Sequence, residues 1–278
     1  MSWTHRVAAA ILAAACLGVS AFPFQPARAE ATVKIGGTGA ALEAMRLAGA
    51  RLAEIAPGTR VEVLPSLGTS GSKRALLDGA IQIAVVQALD ALKPAETEAG
   101  MREAACFTTA MVLASSHRDP RGVERARLPG IYADPDPRWW DGTPLKIVLR
   151  SRAGSENPYF ARAVPGMGEA LEAAYRRPGI PIAATDQENA EVARLVPGSF
   201  AMATLLQIKA ERLALKPLAV DGVEPSAETV ASGAYPFPLR LCLLVRGEPG
   251  PGAGSFVSYL RSPAGAALMR SIGATPAP

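Results

Sequence analysis

Thr32-Val33-Lys34-Ile35-Gly36-Gly37-Thr38-Gly39 begins as a short β-branched strand and passes through small residues into a helix. Leu42, Met45, Leu52 and Ile55 keep one face of that helix until Pro57-Gly58 stops it. A second strand is predicted over Arg60 to Leu64. The hydroxyl-rich turn Pro65-Ser66-Leu67-Gly68-Thr69-Ser70-Gly71-Ser72 then leads into a short helix around Lys73 to Leu77. Ile81, Ile83 and Val85 alternate with Gln82 and Ala84 as the next strand. This βαβα order predicts an α/β fold with mostly parallel sheets flanked by helices.

The pattern continues downstream. Strand signals lie at Cys106 to Ala114, Leu145 to Leu149, Ile180 to Ala184, Ser199 to Ala203 and Leu239 to Val245, with helical periodicity at Met167 to Tyr175 and from Asp186 to Leu195. Two closing helices carry Phe256, Tyr259 and Leu260, then Ala267 and Leu268, divided by Ser262-Pro263. Between the first two of these strands, Leu128 to Asp141 is rich in Pro, Asp and Trp and reads as an irregular stretch. Its Trp139 and Trp140 are expected to pin a loop rather than line a cleft.

Upstream, Met1 to Arg6, the apolar run Val7 to Val19 and Ala27-Arg28-Ala29 have the three parts of a secretory signal peptide, with cleavage expected after Ala29 and a periplasmic destination. A lipoprotein reading through Ala13-Ala14-Ala15-Cys16 is the weaker one, because an aliphatic residue would be expected where Ala13 stands. The 278 residues are 49% apolar, 19% charged and 5% aromatic, a globular composition. Net charge is +4, and loss of Arg6 and Arg28 with residues 1–29 leaves +2. With its Arg residues scattered and no aromatic residues among them, the chain shows no nucleic-acid footprint. Two His and three Cys exclude a zinc cluster or haem attachment, so no metal and no cofactor is expected. After cleavage Cys106 and Cys242 remain, in an oxidising compartment where they either bridge or stay as two buried small hydrophobes. His117 is the one histidine left and has no evident partner for a Cys-His enzyme.

Residues 36–40 and 66–72 are strand-to-helix loops rich in Gly, Ser and Thr. Such loops suit anions, because free N–H groups at a helix start carry partial positive charge and glycine lets a ligand approach the backbone. A third loop, Arg150-Ser151-Arg152-Ala153-Gly154-Ser155-Glu156-Asn157, begins with an Arg able to grip an oxyanion in bidentate fashion. Each loop alone also reads as an ordinary cap or turn, and none matches a nucleotide-binding pattern.

Across about the whole chain after the leader, the sequence resembles the phosphate-type periplasmic solute-binding proteins of ABC transporters. Gly130-Ile131-Tyr132 followed by Trp140-Asp141-Gly142, then Leu149-Arg150 and Ser155, are similar to that family's central segment and anion loop. Val220-Asp221-Gly222-Val223, Gly233-Ala234-Tyr235-Pro236, Leu239 to Arg246 and Ser262-Pro263-Ala264-Gly265 resemble its closing region. The resemblance implies a monomer of two α/β lobes joined by crossing hinge strands. Lobe I would be residues 30–112 and 237–278, and lobe II residues 113–236, around a cleft that takes a small anionic solute for a membrane ABC transporter permease.

Carried over by position, the resemblance implies a ligand set of Thr38, Gly39, Thr69, Ser70, Gly71, Gln87, Arg150, Ser155, Glu156 and Asn157. It also implies that a Cys106–Cys242 bridge would restrain the hinge. Gln87 stands where phosphate receptors have an Asp that accepts a proton from the ligand. Glu156 and Asn157 replace a small residue and a Thr, and a carboxylate facing the anion would repel it. A second reading is therefore a sensor or interaction module with an altered or lost anion site; an enzyme lacks a recognisable nucleophile–base spacing.

Overall fold

The computed structural model describes residues 31–89 and 92–277, so the expected leader, its cleavage point and Cys16 lie outside the described residues. The first half of the fold begins with β1 (Ala31–Gly37), α1 (Gly39–Ile55), β2 (Thr59–Val63), α2 (Gly68–Leu77) and β3 (Ile83–Gln87), as the strand–helix alternation predicts. β1 runs parallel to both β2 and β3, which buries Val33, Ile35, Ile83 and Val85 under α1. The Ala- and Gly-rich inner face of α1 brings that helix close; Gly49 sits where an added Cβ would lie 2.7 Å from Val61. Ile55, expected on the inner face, is instead 69% exposed at the last turn, where α1 runs past the edge of the core. α2 starts earlier than expected: Gly68, at φ +65°, turns the chain so that Thr69, Ser70 and Gly71 form the first helical turn.

Next come α3 (Pro94–Glu98), the 15-residue strand β4 (Met101–Ser115), α4 (Leu128–Ala133), β5 (Lys146–Arg150), α5 (Glu156–Ala163), α6 (Met167–Arg176), β6 (Ile182–Ala183), α7 (Asp186–Leu195), β7 (Ser199–Thr204), α8 (Leu205–Ala210), β8 (Lys216–Pro217) and α9 (Ala227–Ala231). The chain closes with β9 (Pro238–Arg246), α10 (Pro251–Arg261), α11 (Pro263–Ser271) and β10 (Ala274–Ala277). α4 puts order into the stretch read as irregular, burying Leu128 and Tyr132, whose ring meets Phe200 edge-on. Trp139 is buried, packs edge-on against Phe200 and donates its indole N–H to Gly198 O at 3.0 Å. Trp140 is 52% exposed and lies under the Arg121 guanidinium.

The strand order is β2-β1-β3-β9-β4-β7-β5-β6. The parallel pairs lie on the flanks, where helical crossovers connect them, and the two long central strands run antiparallel. β4 belongs to both halves. From Met101 to Ala110 it pairs with β9, and from Met111 to Ala114 it pairs with β7, with Met111 N–H donating to Phe237 O at 2.9 Å at the changeover. Two lobes thus share one continuous strand. Cys106 and Cys242 stand directly opposite on β4 and β9, 4.2 Å apart at Cα, and form a disulfide.

Candidate functional site: the inter-lobe cleft

Four of the parallel strands lead into one hollow, a cleft of about 500 Å³. β1 is followed there by Thr38, β2 by Ser66 to Gly71, β5 ends in Arg150 and continues through Ser155, and β6 is followed by Ala184, Thr185 and Asp186. The helices α1, α2, α5 and α7 begin at these loops, so four helix N-termini carry partial positive charge toward a common region. Ligands commonly bind outside the carboxyl ends of strands in open α/β sheets.

Arg150 is 8% exposed and enters the cleft from the end of β5. Its Nη1 donates to Ala183 O at 3.0 Å, while its Nε lies 3.5 Å from Asp186 Oδ1 and 3.6 Å from Glu156 Oε1 with no hydrogen-bond partner among the described residues. Both carboxylates occupy first-turn positions, Glu156 on α5 and Asp186 on α7, where the helix ends favour negative charge. Burial and the Asp186 charge push the Glu156 carboxyl up to about 7, with Arg150 pulling the other way.

The cleft wall includes Thr38, Thr69, Ser70, Gly71, Arg150 and Ser155 of the expected set. The other four lie behind it. Glu156 is 3% exposed and tucked beneath the turn, its Oε2 only 2.7 Å from where a Cβ on Gly154 would sit. It therefore faces Arg150 from within the lobe. Asn157 braces the same loop, donating from Nδ2 to Ser151 O at 2.9 Å and to the Tyr175 hydroxyl at 2.8 Å, and that hydroxyl donates to Arg150 O. Gln87 is buried behind Thr69, whose hydroxyl accepts from Gln87 N–H at 3.3 Å; both Gln87 amide atoms lack a partner among the described residues. Gly39 is closed off by the other lobe: an added Cβ would lie 2.4 Å from Gln187 Oε1 and 2.8 Å from Asp186 Cβ.

The residue that sequence reasoning missed is Asp186. Thr185-Asp186-Gln187-Glu188 reads as an ordinary capped helix start, and the Thr185 hydroxyl does accept from Glu188 N–H. Nothing local marks Asp186 as a neighbour of an Arg 36 positions earlier. It also reaches across the cleft, since the Thr38 hydroxyl donates to Asp186 Oδ2 at 3.3 Å. Beside it Gln187 Nε2 donates to Gly39 O at 2.9 Å, so the rims of the two lobes are already bonded.

His117 lies elsewhere, stacked on Trp139, with Nδ1 accepting from Asp119 N–H and Nε2 at 3.1 Å from Asp141 Oδ2. With Cys106 and Cys242 joined, no thiol nucleophile is present among the described residues. No helix of the described residues is long and apolar enough to cross a membrane.

The same fold is found in solved structures. A substrate-binding protein described as belonging to a phosphate ABC transporter, from Clostridium perfringens and solved with bound phosphate, aligns with a TM-score of 0.72 at 17% identity, covering 89% of this chain and 100% of that one. An ABC-type phosphate transport receptor from Vibrio cholerae aligns with a TM-score of 0.58 at 15% identity over 87% of this chain and 99% of that one. A reduced form of OxyR from Neisseria meningitidis aligns at 0.56 with 11% identity, over 89% and 99%. No curated protein matches the sequence. The sequence does match the family described as the PBP superfamily domain over residues 23–264, so with its two lobes and shared central strands this chain belongs to that family and has the phosphate-type periplasmic-binding-protein fold.

Proposed function

We propose that this protein is an exported, monomeric solute-binding protein that captures a small oxyanion between its lobes and delivers it to an ABC-type transporter permease. One observation carries the reading: loops 38, 66–71, 150–155 and 184–186, from both lobes, line one hollow with helix starts, hydroxyls and a buried Arg. The lobes would be residues 30–112 with 237–278, and residues 113–236, hinged where β4 changes partners near residue 110. Ligand contacts made from both sides favour the closed form, which a permease would recognise.

Titration calorimetry with phosphate, sulfate and molybdate tests this. At least one should bind, and Arg150→Ala should weaken it by roughly a hundredfold or more, the worth of a lost charge-assisted contact in a buried site. Binding that survives the substitution unchanged would place the anion elsewhere.

The two carboxylates against Arg150 favour a second reading, a binding module whose anion site has been altered for sensing or interaction. A thermal shift with any of the anions supports the receptor, because a native-state ligand raises apparent stability by mass action. No shift across the panel supports the module.

A further inference from the structure

The cleft does not end at the anion cradle. Ser66 and Thr185 line both the cleft and a second hollow of about 770 Å³ that also runs between the lobes. From lobe I this groove takes Leu42 and Leu47 of α1, and from lobe II Gln187, Glu211 and Arg212. The rims carry the Thr38–Asp186 and Gln187–Gly39 hydrogen bonds, so the space remains while the lobes touch. A tetrahedral oxyanion has five heavy atoms and displaces only a few water volumes of about 30 Å³ each, whereas hollows of roughly 300–1000 Å³ suit organic ligands.

The groove is amphipathic, and most of its charge is already answered. Arg46 pairs with Glu43 at 3.0 Å, and Glu211 Oε1 accepts from the Gln187 and Gln207 amides at 3.2 and 3.3 Å. Burial holds the Glu211 carboxyl above its ordinary value, with the Gln187 and Gln207 amides pulling the other way. Of these charged groups the Arg212 guanidinium alone makes no side-chain hydrogen bond or ion pair among the described residues, while its backbone N–H donates to Lys209 O and the residue stands at φ +53°, a conformation L residues rarely adopt. In the cradle, by contrast, Arg150 is opposed by Asp186 and Glu156, so a bare anion finds much of its counter-charge already engaged.

We infer that the ligand is an organic oxyanion, a phosphate ester or its analogue, whose head sits in the cradle and whose substituent runs past Ser66 and Thr185 along the half-buried Leu47 to place an acidic group at Arg212. This deepens the anion-receptor reading above and rests on it.

Calorimetry with inorganic phosphate, glycerol 3-phosphate and 3-phosphoglycerate, which adds a carboxylate to the ester, tests the inference. 3-Phosphoglycerate should bind tighter than phosphate by roughly tenfold or more, with glycerol 3-phosphate between them. Arg212→Gly, which suits the left-handed backbone, should reduce the 3-phosphoglycerate-to-phosphate affinity ratio by roughly tenfold, and Arg212→Lys should keep most of it. Phosphate binding as tightly as either ester, or a ratio unmoved by Arg212→Gly, overturns the inference and leaves the anion receptor standing. Failure of all three to bind overturns the inference, and overturns the anion receptor with it when sulfate and molybdate fail as well.

Discussion

Glu156 shows how one side chain can be read in two opposite ways. As a carboxylate beside an anion loop it looks like a repeller of ligand, yet it lies under the Gly154 turn and faces Arg150 from inside the lobe. Its pKa of about 7 exceeds the ordinary value of 4.5, so the folded chain holds this proton more tightly than the unfolded one. The groups that face it are Arg150 at the end of β5, Asp186 on α7 and its own α5 N-terminus. A raised carboxyl contributes its stability fully below about pH 4.5 and loses it as the pH climbs toward 7. Glu156→Gln keeps the shape and removes the titration. It should flatten the fall in melting temperature between about pH 5 and 8, with a relative gain at the upper end on the order of 1–3 kcal/mol. Parallel melting curves for the two proteins over that range would show that Glu156 does not titrate there. The placement of Thr69, Ser70 and Ser155 on the cleft wall could be anticipated because small hydroxyl residues after a strand carry a local meaning, and that of Arg150 because it ends a strand at such a loop. That of Asp186 could not, because its importance comes from a partner that only tertiary structure supplies.

Among the elements, β4 carries the architecture. The apolar run Cys106 to Ala114 marked a strand, but no local pattern shows where one 15-residue strand exchanges β9 for β7. The α2 start was misplaced for a related reason: Gly, Ser and Thr are weak helix formers, yet Gly68 supplies the left-handed entry and the Ser72 hydroxyl donates to Gly68 O at 2.7 Å. The Cys106–Cys242 disulfide ties β4 to β9 and closes a loop with a sequence separation of 136. A loop of that length gives a chain-entropy stabilisation of about 5 kcal/mol, the upper end of what such bonds deliver. Reduction, or a Cys106→Ala, Cys242→Ala double variant, should therefore lower unfolding free energy by roughly 2–5 kcal/mol while the circular dichroism of the folded protein is retained. An unchanged denaturation curve in reductant would show that the ladder alone holds this region.

At the scale of the molecule, the α/β class and the order of most elements could be read from hydrophobic period and loop chemistry, whereas the return of the chain into the first sheet could not be read from composition. β9 follows β5 to β8 in sequence but lies between β3 and β4 in the sheet. A fragment of residues 31–110 should therefore be largely unfolded by circular dichroism, and adding residues 237–278 on a short linker should restore cooperative melting. Cooperative unfolding of the shorter fragment would show that the first sheet closes without β9. The Thr38–Asp186 contact has its own consequence at this scale. An anion taken up as proposed would compete with a carboxylate that never diffuses away. Such a built-in rival scales down the apparent affinity of every guest by one constant factor, which excess guest overcomes, so the concentration at which the cleft fills is set partly by the protein itself.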